Sequence, residues 1–279
     1  MRMADVLSQN RRLRRLVIPA LARFNVGDVT ITHHWTGDRV RLHSFRHKSY
    51  WFHGRDRERV AMLSLIRLIG GNDVVYDVGG HIGYTALLFS NLGRKVHVFE
   101  PGSNNLPYLY MNVGRKPNVI VIESAAGAKE GTGSMLVEDL SGQNNTLAPS
   151  AETFRSTSKN AFVHARSGWE PVAITTLDTH AGRTEPPDVV KIDVEGYELE
   201  VLRGAQDLLR NRRPIFMVEV TAGRSAVGKL MASHGYGVFR EDLLDLGEEV
   251  TAGPNHFFLH REQHQALIDR YGKRDAAVR

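Results

Sequence analysis

Val74-Val-Tyr-Asp-Val-Gly-Gly-His-Ile-Gly-Tyr-Thr85 is the stretch whose reading decides the fold. Val74 to Val78 carry the β-branched and aromatic side chains of a buried strand, and glycines at 79, 80 and 83 then allow a tight turn with room for a ligand to approach the backbone. From Ile82 to Leu92 the apolar pattern turns helical. Strand, glycine turn and helix are the first half of a nucleotide-binding βαβ unit. The dinucleotide spacing G-x-G-x-x-G fails, because the Gly80 and Gly83 pair would need a glycine where Val78 stands. The strand also ends in a carboxylate, Asp77. A negative charge there repels a pyrophosphate and suits a ligand that carries an ammonium group and no phosphate.

Outward from this unit, apolar residues at Met62, Leu65, Ile66 and Ile69 mark a helix over 55–69, stopped by Gly70 and Gly71. Downstream the chain alternates. Strands are expected at Lys95 to Glu100, Asn118 to Glu123, Val189 to Asp193 and Pro214 to Val220, with helices at Asn105 to Val113, Tyr197 to Leu209 and Ala226 to Ser233. Val238-Phe239 and His256 to Leu259 read as a terminal antiparallel pair. The expected fold is α/β, a doubly wound, mostly parallel sheet of the seven-stranded type with an N-terminal helix and hairpin extension. Residues 1–54 form that extension and 55–279 the main domain. Residues 139–170, rich in Ser, Asn, Thr and Gly, read either as a substrate lid near Gln143, Asn144 and Asn145 or as a surface excursion.

The 279 residues, 42% hydrophobic, suffice for one large α/β domain with a core. Cysteine is absent, which excludes a disulfide framework, a Cys-based zinc site and a Cys nucleophile. No apolar run approaches the roughly 18 residues of a membrane span, and a cytoplasmic location is expected. The net charge of +5 is uneven: residues 1–60 hold 13 Arg or Lys against 5 Asp or Glu, a balance of +8, so the remainder sums to −3. In residues 1–24, Arg11, Arg12, Arg14 and Arg15 flank Leu13, Leu16 and Val17, which reads as a basic amphipathic helix. It suits contact with a membrane surface or nucleic acid, or a solvated basic face. Val29 to Thr32 and Val40 to His43 form a β-hairpin, and Tyr50, Trp51 and Phe52 beyond it pin the arm to the core.

In open α/β sheets the ligand sits at the carboxyl ends of the strands. Those ends read Asp77, Glu100, Glu123-Ser-Ala125, Asp193 and Glu219. Core packing does not explain such a series, because an unpaired buried charge costs roughly several kcal/mol. Glu100 is placed for both hydroxyls of a ribose and Ser124-Ala125 for an adenine. With Asp77, Gly79, Gly80 and Gly83 they form a nucleoside site for which S-adenosylmethionine (SAM) is the fitting ligand. Asp193, which belongs to that site too, is also a candidate base, as are Glu195 in the following turn and His81. Lys191 points the same way as Asp193 along the strand and pairs with a carboxylate or tunes the base. A divalent metal held by Asp193 and Glu219 is a further, disfavoured reading.

Asp77-Val-Gly-Gly-His-Ile-Gly-Tyr-Thr, Val98-Phe-Glu-Pro, Ala125-Ala-Gly, Lys191-Ile-Asp-Val-Glu-Gly-Tyr-Glu and Val201-Leu-Arg-Gly-Ala together resemble the FkbM family of SAM-dependent methyltransferases. The resemblance covers roughly residues 73–220. It implies a class I, Rossmann-like methyltransferase fold and O-methylation of a hydroxyl on a sugar, glycan or polyketide-type small molecule. The family usually reads Ala-Asn where this chain has Gly80-His81. Two other readings stand beside it: an RNA methyltransferase or nucleic-acid binder that uses the basic arm, and an NAD-dependent oxidoreductase. The second is opposed by Asp77 and the failed glycine spacing. The first lacks the Asn-Pro-Pro-aromatic motif common in amino-group methylation, since Asp193-Val-Glu-Gly stands there.

Overall fold

The computed structural model describes residues 26–138, 145–147, 167–253 and 255–272. The basic helix expected in residues 1–24, and Gln143 and Asn144 of the expected lid, lie outside the described residues. The chain opens with the antiparallel hairpin β1 (Asp28–Thr32) and β2 (Arg39–His43). It continues through α1 (Lys48–His53), a 3₁₀ turn at Gly54–Asp56, and α2 (Arg59–Leu68). The apolar spacing suggests one helix from Arg55. Instead Glu58 takes a left-handed conformation, φ 49° and ψ 29°, so the helical ladder begins only after it.

The main sheet then forms from β3 (Val74–Val78), α3 (Tyr84–Leu92), β4 (Lys95–Phe99), α4 (Leu106–Val113) and β5 (Val119–Ile122). A second sheet of four strands follows, β6 (Ala125–Ala126), β7 (Gly131–Glu138), β8 (Thr146–Leu147) and β9 (Ser167–Thr175), in the order β6-β9-β7-β8. The chain returns through α5 (Leu177–Arg183), β10 (Val189–Ile192), α6 (Glu198–Arg203) and β11 (Ile215–Glu219). It ends in α7 (Arg224–Ala232), β12 (Tyr236–Arg240), β13 (Asn255–His260) and α8 (Gln265–Tyr271).

The seven-stranded sheet runs β12-β13-β11-β10-β3-β4-β5. Strands β11, β10, β3, β4 and β5 are parallel, and β13 lies antiparallel to both of its neighbours. After β5 the chain crosses back to β10 on the other side of β3, so the order reverses beside β3, where an open sheet leaves a crevice. β3 is fully buried, with one core layer on each face of the sheet. The hairpin docks on the α3–α4 face: Val40 and Leu42 are buried there. Asn112 of α4 accepts from Arg41 N at 2.6 Å and donates to Arg41 O and Ile82 O at 3.0 and 2.7 Å. His33 Nε2 donates to Tyr84 O at 3.1 Å.

Two differences from the sequence expectation have local causes. The helix expected over Tyr197 to Leu209 ends at Arg203, followed by a π turn at Leu208–Arg212. At Gly204 the backbone passes so close to Gly127 that a Cβ would collide with the Gly127 carbonyl, and a plain helix does not continue through that crossing. The composition of 139–170 points to irregular structure throughout, yet Ser167 to Glu170 belong to β9 and pair with β7 from Met135 to Glu138. Among the described residues no helix is long and apolar enough to cross a membrane.

Candidate active site

A cavity of about 290 Å³ opens at the carboxyl ends of β3, β4, β10 and β11. One side is built by the glycine turn. At Gly79, φ is 83°, and a Cβ would collide with the Asp193 carbonyl oxygen, so the turn can lie against the end of β10 only as glycine. Gly79 N and Gly80 N donate to Phe99 O at 3.0 and 3.1 Å, tying the turn to β4. Both residues line the cavity. Gly83 does not: it precedes α3 and packs against Leu109 and Val113. The room these glycines leave is therefore largely taken by the protein's own backbone and side chains.

Glu100 sits in the cavity wall just past β4, 4% exposed. Its Oε2 accepts from His81 N at 2.8 Å, and Oε1 from Gly102 N at 2.8 Å and Asn105 Nδ2 at 3.2 Å. Burial pushes its carboxyl up to about 7 against these donors. Phe99, Ala125, Ala126 and Leu147 add an apolar strip on this side. Ser124 does not line the cavity, whereas Ala125 does.

Asp77 stands behind the cavity wall rather than in it, wholly buried. It is the register partner of Lys191 across β3 and β10. Its Oδ1 lies 3.3 Å from Lys191 Nζ, and its Oδ2 accepts from Thr85 Oγ1 at 2.6 Å. Asp77 is expected from sequence to face a ligand ammonium; in the structure its carboxylate faces the Lys191 ammonium and does not line the cavity. Burial raises the Asp77 carboxyl, opposed by Lys191 and Thr85. Burial also opposes the Lys191 charge, but Asp77 and Asp193 outweigh it and hold the ammonium above the usual lysine value. With a carboxylate on each side of Lys191, the ionised pair is the state the geometry favours.

Lys191 thus bridges from the buried strand to the cavity, with Asp193 Oδ2 3.5 Å from its Nζ. Asp193 lines the cavity, its side chain one-quarter exposed. The ladder between β10 and β11 ends at Ile192 and Val218, so Asp193 and Glu219 follow side by side. Burial, then Asp193, Glu195 and Glu58, push the Glu219 carboxyl well above the ordinary range. Glu195 takes φ 51° and also lines the cavity; its carbonyl accepts from Thr146 Oγ1 at 2.9 Å. Asn145, from the expected lid, lines the same wall as Thr146 and Leu147.

Glu198, the last residue of the Lys191-Ile-Asp-Val-Glu-Gly-Tyr-Glu stretch but not among the candidate site residues, lies just behind this turn, 1% exposed. Its Oε1 accepts from Gly196 N at 2.7 Å and Thr221 Oγ1 at 3.1 Å, while Oε2 has no hydrogen bond. Burial pushes its carboxyl up to about 7.

His81, also left-handed at φ 49°, lines the cavity with its Nδ1 2.9 Å from the Tyr50 hydroxyl. Tyr50 comes from α1 and is followed in the wall by Arg57, Glu58 and Met62, none of them expected from sequence. Burial lifts the Tyr50 phenol to about 12. Among the described residues no group of three or more His, Cys, Asp or Glu side chains is arranged to hold a metal.

A family model, the methyltransferase FkbM domain, matches residues 77–252. The hexuronic acid methyltransferase AglP of Haloferax volcanii is 33% identical over 152 residues, 54% of this chain and 57% of that protein. The matched stretch is thus little more than half of that relative's length. Among solved structures, methyltransferase FkbM from Methylobacillus flagellatus KT superposes with a TM-score of 0.44 at 15% identity, covering 68% of this chain and 44% of that one. TYW2 of M. jannaschii, solved with AdoMet, gives 0.45 at 14% identity, covering 84% and 87%.

Proposed function

The chain belongs to the FkbM methyltransferase family, and from that premise we propose that it is a SAM-dependent O-methyltransferase whose acceptor is a hydroxyl of a sugar or glycan. The observation that carries this reading is one cavity joining Glu100, past β4, to Asp193, past β10. The lining fits the cofactor. Glu100 and Glu195 bring carboxylates to the cavity walls, and a ligand with sulfonium and ammonium charges favours their ionised forms. The apolar strip at Phe99, Ala125, Ala126 and Leu147 suits a purine. Bound there, SAM supplies an electrophilic methyl group.

The protein's own residues do the rest. Gly79 and Gly80 shape the wall, and Glu100 accepts hydrogen bonds from a hydroxyl pair, with Ala125 beside the purine. Methylating an alcohol also requires the acceptor oxygen to be held in line and its proton removed. Asp193 takes that proton. Lys191 fixes the Asp193 carboxylate, and Asp77 acts at one remove by fixing Lys191. Glu195 forms the wall next to Asp193. His81 has its Nδ1 2.9 Å from the Tyr50 hydroxyl and its amide on Glu100, which ties it to the turn and to the extension, and the base is assigned to Asp193. The glycan acceptor is supported by the relative named for a hexuronic acid, and by carboxylate-rich walls, which accept hydrogen bonds from hydroxyls.

Calorimetric titration with SAM tests the cofactor side. Charge-assisted hydrogen bonds contribute about 1.5–3 kcal/mol, so Glu100→Gln is expected to weaken SAM about tenfold to a hundredfold. No heat of binding with the wild-type protein, or equal affinity in Glu100→Gln, contradicts the assignment.

A further inference from the structure

The family match begins at residue 77, yet part of the cavity wall comes from before it: Tyr50, Arg57, Glu58 and Met62. These residues line the same cavity as the ends of β10 and β11, near enough for the Glu58 charge to act on Lys191 and Glu219. This wall therefore lies outside the residues that the family model matches.

Its geometry is locked. The Arg57 guanidinium lies over the Tyr50 ring, 4.7 Å from its centroid, and Arg57 Nη2 meets Glu58 Oε1 at 3.0 Å. The Tyr50 hydroxyl in turn reaches His81 in the glycine turn. Both Arg57 and Glu58 keep about a quarter of their side-chain surface exposed (25% and 24%), so they are fixed but reachable.

Glu58 also holds a backbone conformation that costs a non-glycine residue energy, φ 49°. Among the described residues five non-glycine residues have positive φ, and three of them, Glu58, His81 and Glu195, line this one cavity. Helix capping does not explain a glutamate there. Glu58 is the N-cap of α2 and makes no side-chain cap hydrogen bond. Glycine would fit the backbone better, so what glutamate adds is its carboxylate in the cavity.

We propose that Glu58, oriented by Arg57, recognises the acceptor by accepting hydrogen bonds from two neighbouring hydroxyls of a pyranose-type polyol. A carboxylate accepts from both hydroxyls of a vicinal diol at once. The pair lines the same cavity as Asp193, near enough for the Asp193 charge to act on Arg57, so a diol held there shares the cavity with the proposed base. Arg57 is a positioning residue; Glu58 sets specificity. The inference rests on the glycan O-methyl transfer reading above.

Initial-rate methyl transfer from labelled SAM to methyl β-D-glucoside and methyl β-D-glucuronoside, with the full chain, tests it. Glu58→Gln and Glu58→Gly are each expected to raise the acceptor KM about tenfold or more, with SAM affinity unchanged. The Tm of Glu58→Gly is expected to stay level or rise, because glycine accepts the left-handed backbone. Arg57→Lys raises KM less than either. An unchanged KM in both Glu58 variants overturns the proposal, as does a fall in Tm of Glu58→Gly that tracks the KM loss, which would make the role structural. A loss of SAM affinity parallel to the KM rise also overturns it, by placing the turn on the cofactor. If the wild-type protein binds SAM but methylates neither glycoside, the glycan reading fails first and the inference falls with it.

Discussion

Replacing Asp77 by asparagine separates a residue that grips the ligand from one that holds the site together. Asp77 and Lys191 are 0% and 3% exposed at the side chain and 3.3 Å apart. Removing one partner of a buried pair leaves the other charge uncompensated, which costs about 3–5 kcal/mol. In Asp77→Asn, Lys191 keeps Asp193 at 3.5 Å, and the introduced amide can still accept from Thr85, so the lower end, about 3 kcal/mol, is expected. At roughly 2–4 °C per kcal/mol for a chain of about this size, Tm should fall by about 6–12 °C. Calorimetry of Asp77→Asn, Lys191→Met and the double variant measures this. The double variant should lose less than Asp77→Asn alone, since it strands no charge. SAM titration well below the transition should show an affinity close to the wild type. Wild-type Tm with collapsed SAM affinity in Asp77→Asn would refute the reasoning and put Asp77 on the ligand.

Asp193→Asn keeps shape and hydrogen bonding but removes the proposed base, so kcat should fall about 10²–10⁴-fold with SAM affinity nearly unchanged; a joint collapse of both would make Asp193 a cofactor anchor. Glu198→Gln should reveal a pH-dependent gain. The folded-state pKa of Glu198, about 7, lies above its ordinary value near 4.5, so its contribution is full below the lower value and is lost as pH rises through the upper one. The variant should therefore gain on the wild type by about 2–3 kcal/mol between pH 5 and pH 8, measured by denaturant unfolding. A pH-independent difference would contradict the burial of an ionising carboxyl there.

The sheet and the location of its crevice were legible because they depend on local signals: a buried β-branched strand, a glycine turn, and helices alternating with strands. Glu100 and Asp193 were readable for the same reason, since a parallel sheet brings successive strand ends to one edge. Asp77 shares that edge but points at Lys191, and which face a side chain takes depends on register with a strand far along the chain. Tyr50 was readable as a pin to the core but not as cavity wall, and Arg57 and Glu58 beside it gave no signal, because the wall depends on long-range contacts such as that between Tyr50 and His81. The second sheet escaped detection for a compositional reason. β7 and β9 carry Gly131, Gly133, Gly168 and Pro171 and expose Trp169, so neither shows the alternation of a strand with one buried face.

Product analysis after incubating the purified full chain with SAM and a panel of neutral and uronate-containing glycosides tests the central claim most directly. The account predicts that wild-type protein yields a sugar bearing one added O-methyl ether, that S-adenosylhomocysteine accumulates in step, and that Asp193→Asn yields almost none while still binding SAM. Methyl transfer to nitrogen or to a nucleobase instead, or full product formation by Asp193→Asn, would contradict it.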